Sequence, residues 1–168
     1  MKATYLHLDD IQALVFDFDG VLTNNLVIVG QDGRESVTCS RSDGLAFDLF
    51  RKLKKPVYIL STEKNPVVAA RAKKLKVKVF QGVNNKADAI KKFAERYEFD
   101  LKNILYIGND VNDYNAMKLC GYSACPSDSH EIIRSNSTII LQTKGGCGVA
   151  RELVEDIFKI NFDQLIDQ

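Results

Sequence analysis

The sequence predicts an α/β fold built on a doubly wound parallel sheet, and two observations support that prediction. First, short apolar runs recur along the chain, as expected for strands that are buried on both faces of a sheet. Second, the segments between these runs carry apolar residues at helical spacing. Strands that alternate with helices favour a parallel sheet covered by helices on both sides. The predicted strands are 13–16, 57–60, 77–80 and 104–107.

Four helices are predicted between and after these strands. Asp43 would cap the first helix, in which Leu45, Leu49 and Leu53 share one face. Pro66 suits the first turn of the second helix, because its missing N–H is not needed there. The predicted helices cover 43–53, 66–75, 87–97 and 113–119.

One segment breaks the alternation of strands and helices. Residues 26–30 and 35–39 are rich in β-forming residues, and they flank the turn sequence Gln31-Asp32-Gly33-Arg34. Apolar β-formers on both sides of an Asp-Gly turn predict a β-hairpin. A hairpin at this place has no position in the main sheet, so it is expected to project or to pair with another chain.

Composition predicts one cytoplasmic domain that spans residues 1–168. The length fits a single domain, and the formal net charge of +1 gives no indication of a nucleic-acid or membrane surface. No apolar run approaches the roughly 20 residues of a membrane span, and residues 1–12 lack a secretory signal. The four cysteines show no CxxC pairing, so they are expected to be reduced rather than in disulfides or zinc sites.

The first feature with chemical potential is the pair Asp17 and Asp19, directly after the 13–16 strand. The alternation of side chains along a strand points both carboxylates the same way. Two carboxylates that lie close together repel each other unless a cation sits between them. Gly20 permits a sharp turn that lifts both out of the sheet. The structural alternative is an ordinary capped strand end and turn.

Three further features follow the other predicted strands. Ser61 and Thr62 follow the second strand, where a hydroxyl can bind a phosphate oxygen or cap a helix. Lys86 follows the third strand, where it can neutralise phosphate or lie in solvent. The segment 108–113 (GNDVND) follows the fourth strand, and its oxygens suit a hard cation such as magnesium or form an acidic turn and helix cap.

Taken in order, these four features resemble the four motifs of the haloacid dehalogenase superfamily. The resemblance covers nearly the whole chain and implies that family's Rossmann-like fold. Within the superfamily, the chain is similar to the small sugar-acid phosphatases that have no cap domain. That branch includes 3-deoxy-octulosonate 8-phosphate phosphatases, 9-phosphate phosphatases of sialic-type nonulosonates, and the phosphatase-like domain of acylneuraminate cytidylyltransferases. The matching segments are 17–23 (DFDGVLT), the hairpin, 41–44 (RSDG) and 144–148 (KGGCG).

The resemblance implies a phosphatase mechanism with a covalent intermediate. Asp17 would attack phosphorus and become an aspartyl phosphate, and Asp19 would act as general acid and then as general base. Ser61 and Lys86 would hold the phosphate oxygens. No nucleic acid or membrane partner is implied, and the only small-molecule partner is a sugar-acid phosphate.

Magnesium is the cofactor that the resemblance implies. Its protein ligands would be the Asp17 carboxylate, the backbone carbonyl of Asp19 and a side chain of the fourth motif. The family usually has aspartate where this chain has Asn109, so Asn109, Asp110 or Asp113 would complete the site. Two alternatives stay open: a weakly active or non-catalytic assembly domain like that of the cytidylyltransferases, and a phosphomutase, which would need a cap to exclude water.

The residues after the second strand indicate the substrate class. Octulosonate phosphatases typically carry Thr-Gly-Arg at this place, whereas this chain has STEK at 61–64, which resembles the nonulosonate branch. Arg71 and Lys74 share a helix face and would meet the substrate carboxylate. A sialic acid- or KDN-type 9-phosphate is therefore expected, with octulosonate 8-phosphate as the alternative. The implied substrate contacts are Thr23, Thr62, Glu63, Arg71 and Lys74.

A homotetramer is expected from the hairpin. Too few residues separate Asp17 from Ser61 to hold a cap domain, so a lone chain would leave its site open to water. The hairpin is also too apolar to remain in free solvent, since an exposed apolar edge promotes aggregation. The family resolves both problems by pairing hairpins between subunits of a tetramer.

Overall fold

The structure is a computed structural model that describes residues 6–166. Six parallel strands form the main sheet in the order β5-β4-β1-β6-β7-β8, and β2 and β3 form a separate antiparallel hairpin. The strands are β1 (Ala13–Phe16), β2 (Ile28–Val29), β3 (Glu35–Ser36), β4 (Val57–Leu60), β5 (Lys78–Phe80), β6 (Ile104–Ile107), β7 (Tyr122–Cys125) and β8 (Ile139–Ile140). The helices are α1 (Arg41–Lys52), α2 (Pro66–Leu75), α3 (Lys86–Tyr97), α4 (Tyr114–Leu119), α5 (Glu131–Asn136), α6 (Val149–Glu152) and α7 (Asp163–Ile166).

The winding of the main sheet determines where a ligand can bind. The chain begins in the middle at β1, moves outward through β4 and β5, and then returns to β6 on the other side of β1. Because the direction of winding reverses between β1 and β6, a crevice opens at the carboxyl ends of these two strands. Their register pairs Phe16 with Ile107, so the residues that follow both strands emerge side by side.

The predicted fold class and the four predicted strands are confirmed, and only β5 starts one residue later than expected. The sheet is covered on both faces, because Leu14 and Phe16 pack into one apolar cluster while Ala13 and Val15 pack into another. Strands β7 and β8 were not predicted, since YSAC is only weakly apolar and β8 has two residues.

The predicted start of α1 is wrong. Ser40 caps the helix, and its Oγ accepts a hydrogen bond from the Ser42 N–H at 3.2 Å. Asp43 is instead buried within the first turn, where its Oδ1 accepts hydrogen bonds from the Ala150 N–H at 2.8 Å and the Arg151 N–H at 3.3 Å. The carboxylate therefore caps α6, and no local sequence pattern indicates a partner so far along the chain. Leu45, predicted to share a helix face with Leu49 and Leu53, is 48% exposed, whereas Leu49 is fully buried.

The other predicted helices are confirmed, and side-chain caps explain two of their starts. Asn65 caps α2 through a bond from the Val67 N–H, with Pro66 in the first turn. Asn85 caps α3 and makes Lys86 its first residue. Asp113 precedes α4, which begins at Tyr114.

The predicted hairpin is also confirmed. Ile28 pairs with Ser36 and Val29 with Glu35, and a bridge between Thr23 and Cys39 closes its base. Its apolar residues are exposed, with Leu26 at 69%. Between β1 and α1 the described chain carries only this hairpin, so that connection contains no cap domain.

Two further findings concern the chain as a whole. Across residues 6–166, every helix is too short or too polar to cross a bilayer. The cysteines at 39, 120, 125 and 147 are free, and burial raises the pKa of the Cys120 thiol to about 12.

Candidate active site

Asp17 lies at the centre of the crevice. Its N–H still pairs with the Ile107 carbonyl at 2.8 Å, so β1 and β6 fix its backbone directly. The side chain is buried, and its Oδ1 accepts bonds from the Phe18 N–H at 2.7 Å and from Lys86 Nζ at 2.8 Å. Oδ1 is thus held by two donors, whereas Oδ2 contacts the end of the Asn109 amide at 3.3 Å.

The turn after Asp17 depends on Gly20. This glycine has a φ of +77°, in the left-handed region, and a Cβ there would overlap the Asn109 side chain. Thr23 is fully buried beneath the same turn, where its Oγ1 accepts from the Gly20 N–H at 3.2 Å and donates to Asp19 Oδ1 at 3.5 Å. The structure therefore brings Thr23 to Asp19 rather than to the surface of the crevice, where a substrate contact would lie.

Lys86 is the buried cation of the site. It is 2% exposed, and its Nζ lies 2.8 Å from Asp17 and 2.7 Å from Asp113. Burial lowers the pKa of the ammonium, but the two carboxylates outweigh this and hold the pKa above its usual value. Lys86 is therefore charged at neutral pH, and the sequence alternative of a solvated surface lysine is excluded.

For Asp17, in contrast to Lys86, burial outweighs the effect of the opposite charge on the pKa. Burial and the neighbouring Asp113 carboxylate raise the pKa of Asp17, while Lys86 and the Phe18 N–H act against that rise. One buried ammonium thus faces two buried carboxylates, which leaves the site short of positive charge.

Asp113 holds Lys86 in place. Its Oδ1 accepts from Lys86 Nζ and from the Tyr106 hydroxyl at 2.9 Å, and its Oδ2 accepts from the Asn109 N–H at 3.0 Å and the Asp110 N–H at 3.3 Å. Both oxygens are thus hydrogen-bonded and the side chain is fully buried. Sequence reasoning missed Tyr106, since it lies within an apolar strand pattern.

Asn109 completes a group of oxygen donors at the crevice. The end of its amide lies 2.9 Å from the Asp19 carbonyl oxygen and 3.3 Å from Asp17 Oδ2, and with Nδ2 at that position it donates to both. Rotating the amide would bring Oδ1 there and make three oxygens converge, which a cation would stabilise. Over residues 6–166 there is no cluster of three His, Cys, Asp or Glu side chains for a metal. The mixed set of carboxylate, carbonyl and amide oxygens has the chemistry that suits magnesium.

These groups open into a cavity of about 330 Å³, which we call the phosphate cavity. Ser61 is buried there, and its Oγ accepts from the Glu63 N–H at 3.1 Å. Thr62 is exposed at the rim. The residues lining the cavity include Asp17, Asp19, Ser61, Thr62, Asn109 and Asp110, so six of the predicted site residues meet here.

The three remaining predicted substrate contacts lie elsewhere. Glu63 lines a second cavity of about 290 Å³ that also touches Asp19. Arg71 and Lys74 line a third cavity of about 390 Å³ between α1 and α2, where an Arg71 terminal nitrogen donates to the Ser40 carbonyl at 2.7 Å. Within one chain, the two cations therefore do not share a cavity with Asp17.

A glycine-rich loop packs against the turn that follows Asp17. A Cβ at Gly145 would overlap the Gly20 carbonyl, and one at Gly146 would come within 2.6 Å of the Thr23 carbonyl carbon. The Gly146 N–H also donates to the Val21 carbonyl at 3.0 Å. Only glycine permits this approach, which accounts for the KGGCG segment at 144–148.

The fold and this arrangement agree with a family comparison. Residues 50–153 match the model of the haloacid dehalogenase-like hydrolase family. The chain therefore belongs to that family, and the predicted enzyme class is confirmed.

Individual proteins that resemble the chain in sequence or in structure identify its relatives within the family. The 3-deoxy-D-manno-octulosonate 8-phosphate phosphatase KdsC of Salmonella typhi is 28% identical over 148 residues, which is 88% of this chain and 79% of that protein. A HAD family hydrolase from Streptomyces avermitilis superposes with a TM-score of 0.91 at 39% identity, covering 95% of this chain and 92% of that one.

A third comparison includes bound ligands. The 3-deoxy-D-manno-octulosonate 8-phosphate phosphatase of Moraxella catarrhalis, solved with magnesium, phosphate and KDO, has a TM-score of 0.88 at 28% identity. The match covers 95% of this chain and 94% of that one. These phosphatase relatives support the phosphatase prediction.

Proposed function

We propose that this protein is a magnesium-dependent phosphomonoester hydrolase that acts on a sugar-acid phosphate through an aspartyl phosphate on Asp17. The observation that carries the proposal is the Asp17–Lys86–Asp113 cluster at the switch point of the sheet. A buried carboxylate that lines a cavity and is held through Oδ1 beside a buried ammonium is an arrangement suited to attack on a phosphate.

In the first half of the reaction, the Asp17 carboxylate attacks phosphorus and the bond from phosphorus to the sugar oxygen breaks. Asp19 gives its proton to that leaving oxygen. Burial and the nearby Glu63 carboxylate raise the pKa of Asp19, which favours the protonated form that this step needs.

In the second half, a water molecule attacks phosphorus and gives a proton back to Asp19. The bond between phosphorus and Asp17 breaks, inorganic phosphate leaves, and both carboxyl groups return to their starting state. Lys86 balances the negative charge on the phosphoryl oxygens in both halves, and the Ser61 hydroxyl can donate to one of them.

Magnesium would supply charge neutralisation and orientation of the phosphate. Its protein donors would be an Asp17 oxygen, the Asp19 carbonyl and the Asn109 amide oxygen. We favour Asn109 over Asp113 because both Asp113 oxygens are already hydrogen-bonded. Asp110 lines the phosphate cavity and can contribute through water.

For the substrate, we propose a nonulosonate 9-phosphate of the sialic acid or KDN type. Glu63 beside Asp19 supports this choice. Arg71 and Lys74 line a separate cavity of the same chain, so they would meet a substrate only in the site of a neighbouring subunit. The second candidate is 3-deoxy-D-manno-octulosonate 8-phosphate, which is the substrate of the relatives at 27–28% identity. The intact charge cluster argues against a non-catalytic assembly domain.

A homotetramer and a cytoplasmic location stay predictions. The exposed apolar residues of the hairpin support an assembly in which hairpins pack together. Such an assembly would also supply groups from one subunit to the cavity of another.

Phosphate release measured across the 9-phosphates and octulosonate 8-phosphate tests the substrate proposal. The nonulosonate assignment expects a higher kcat/KM for a 9-phosphate. An advantage of octulosonate 8-phosphate of more than about tenfold, roughly 1.4 kcal/mol in transition-state binding, would overturn it. Absence of phosphate release from every ester, including p-nitrophenyl phosphate with magnesium, would overturn the enzyme proposal itself.

A further inference from the structure

The second cavity beside Asp19 is placed to receive the leaving group. This cavity of about 290 Å³, which we call the leaving-group cavity, shares Asp19 and Asn25 with the phosphate cavity. Because Asp19 is the proposed proton donor to the leaving oxygen, the atoms bonded to that oxygen must extend past Asp19. The leaving-group cavity opens on that side.

The walls of this cavity are apolar and acidic. The apolar part consists of hairpin residues and Val67, and the charged part consists of Asp19, Glu35 and Glu63. No lysine or arginine of residues 6–166 lines it. Glu63, Glu35 and Asp19 line this same cavity, and the charges of the two glutamates add to burial in raising the pKa of Asp19.

A hydrogen-bond network fixes both glutamates. Glu63 Oε1 accepts from the Lys64 N–H at 2.6 Å and from the Asn65 N–H at 2.8 Å, which leaves its other oxygen free to meet a ligand. The Asn65 Nδ2 donates to Glu35 Oε2 at 3.0 Å, while the Asn65 Oδ1 caps α2 through the Val67 N–H at 3.1 Å. Asn65 therefore joins the hairpin to the start of α2 and holds both carboxylates, which line the cavity.

We propose that Glu35 and Glu63, connected by Asn65, are specificity-determining residues that select the charge of the leaving group. A neutral polyol can donate hydroxyl hydrogen bonds to them and an ammonium can pair with them, whereas a carboxylate in this cavity meets like charge. The carboxylate of a sugar-acid substrate must then lie outside the cavity, at the end of the molecule remote from phosphate. The inference rests on the proposed function, and Glu35 is the residue that it adds.

The test compares three small phosphate esters whose leaving groups differ in charge. These are phosphoethanolamine, glycerol 3-phosphate and phosphoglycolate, with p-nitrophenyl phosphate as a check that the catalytic groups are intact. The full-length protein should show a kcat/KM for phosphoethanolamine at least about tenfold above that for phosphoglycolate, because like charges are disfavoured at close range. Glycerol 3-phosphate should fall between them.

Glu35→Gln, Glu63→Gln and the double variant keep an oxygen acceptor for the network while removing charge. Each single change should reduce the preference for phosphoethanolamine over phosphoglycolate, and the double variant should reduce it by roughly fivefold or more. Asp32→Asn is the matched control, since Asp32 lies at the exposed hairpin turn and outside the cavity. It should leave the ratio unchanged.

The outcomes separate the two proposals. An unchanged ratio in the double variant, with phosphate still released, overturns the role of the glutamates and leaves the phosphatase proposal intact. An equal effect from Asp32→Asn also overturns it, because the effect would then reflect net charge alone. Absence of turnover with every ester in the folded wild-type protein overturns the phosphatase proposal and this one with it.

Discussion

Asn109→Asp probes the metal site most sharply, because it places a second carboxylate next to Asp17. The end of the Asn109 side chain lies 3.3 Å from Asp17 Oδ2 and 2.9 Å from the Asp19 carbonyl oxygen. In the metal-free protein the substitution replaces two hydrogen bonds with repulsion. Two like charges about 4 Å apart interact by about 4 kcal/mol at an effective dielectric constant near 20. Protonation of one carboxylate relieves part of this, so we expect the free energy of unfolding to fall by about 2–4 kcal/mol.

Magnesium should reverse the effect. A second carboxylate increases the charge attraction for the cation, so the dissociation constant for magnesium should fall at least about tenfold relative to wild type. Ligand binding stabilises a folded protein by about 2.7 kcal/mol at a concentration 100 times the dissociation constant. The variant should therefore gain more stability from a given magnesium concentration than the wild type does.

Urea unfolding in EDTA and across a magnesium titration measures both quantities. Asn115→Asp provides the control, since Asn115 is exposed on α4 and does not line the cavity at Asp17. If Asn109→Asp unfolds like wild type without metal and responds equally to magnesium, Asn109 does not face the cation and the proposed donor set is wrong.

Three further predictions concern other parts of the molecule. Lys86→Met leaves the Asp17 and Asp113 carboxylates buried without a cation. The free energy of unfolding measured in urea should therefore fall by about 3–5 kcal/mol, and turnover should be abolished. Unchanged stability would contradict the buried pairing. Burial raises the pKa of Asp43 to about 6, so its contribution to stability is fully present below pH about 4 and is lost as pH rises through 6. Relative to Asp43→Asn, wild type should therefore lose up to about 3 kcal/mol between pH 4 and 7 in chemical unfolding, and a pH-independent difference would argue against a raised pKa. Ile28→Asp on the exposed hairpin should convert a tetramer into smaller species in sedimentation velocity, whereas an active wild-type monomer at micromolar concentration would rule the tetramer out.

Much of the sheet was predictable because its central strands are buried on both faces. Continuous apolar runs at 13–16 and 104–107 are typical of strands inside a parallel sheet, and polar residues directly after them indicate the carboxyl edge of that sheet. Strand β8 was not predictable, since two residues carry no periodic pattern.

The features that could not be predicted from the sequence are contacts between distant parts of the chain. Asp43 resembles a local helix cap, yet it caps α6 more than a hundred residues away. Tyr106 resembles an ordinary core residue, but its hydroxyl holds Asp113. Glu35 resembles a solvated hairpin residue until Asn65 is found beside it. In each case the partner is set by the tertiary fold, so spacing along the chain gives no indication of it.

The central claim is that Asp17 carries the phosphoryl group during turnover. The direct measurement is to quench the reacting enzyme in acid, reduce with borohydride, and map the peptides by mass spectrometry, since reduction converts an aspartyl phosphate to homoserine. We predict homoserine at position 17 in the presence of substrate and magnesium, and none in a folded Asp17→Asn protein, which should also release no phosphate. Homoserine at another position, or wild-type turnover by the folded Asp17→Asn protein, would contradict the claim.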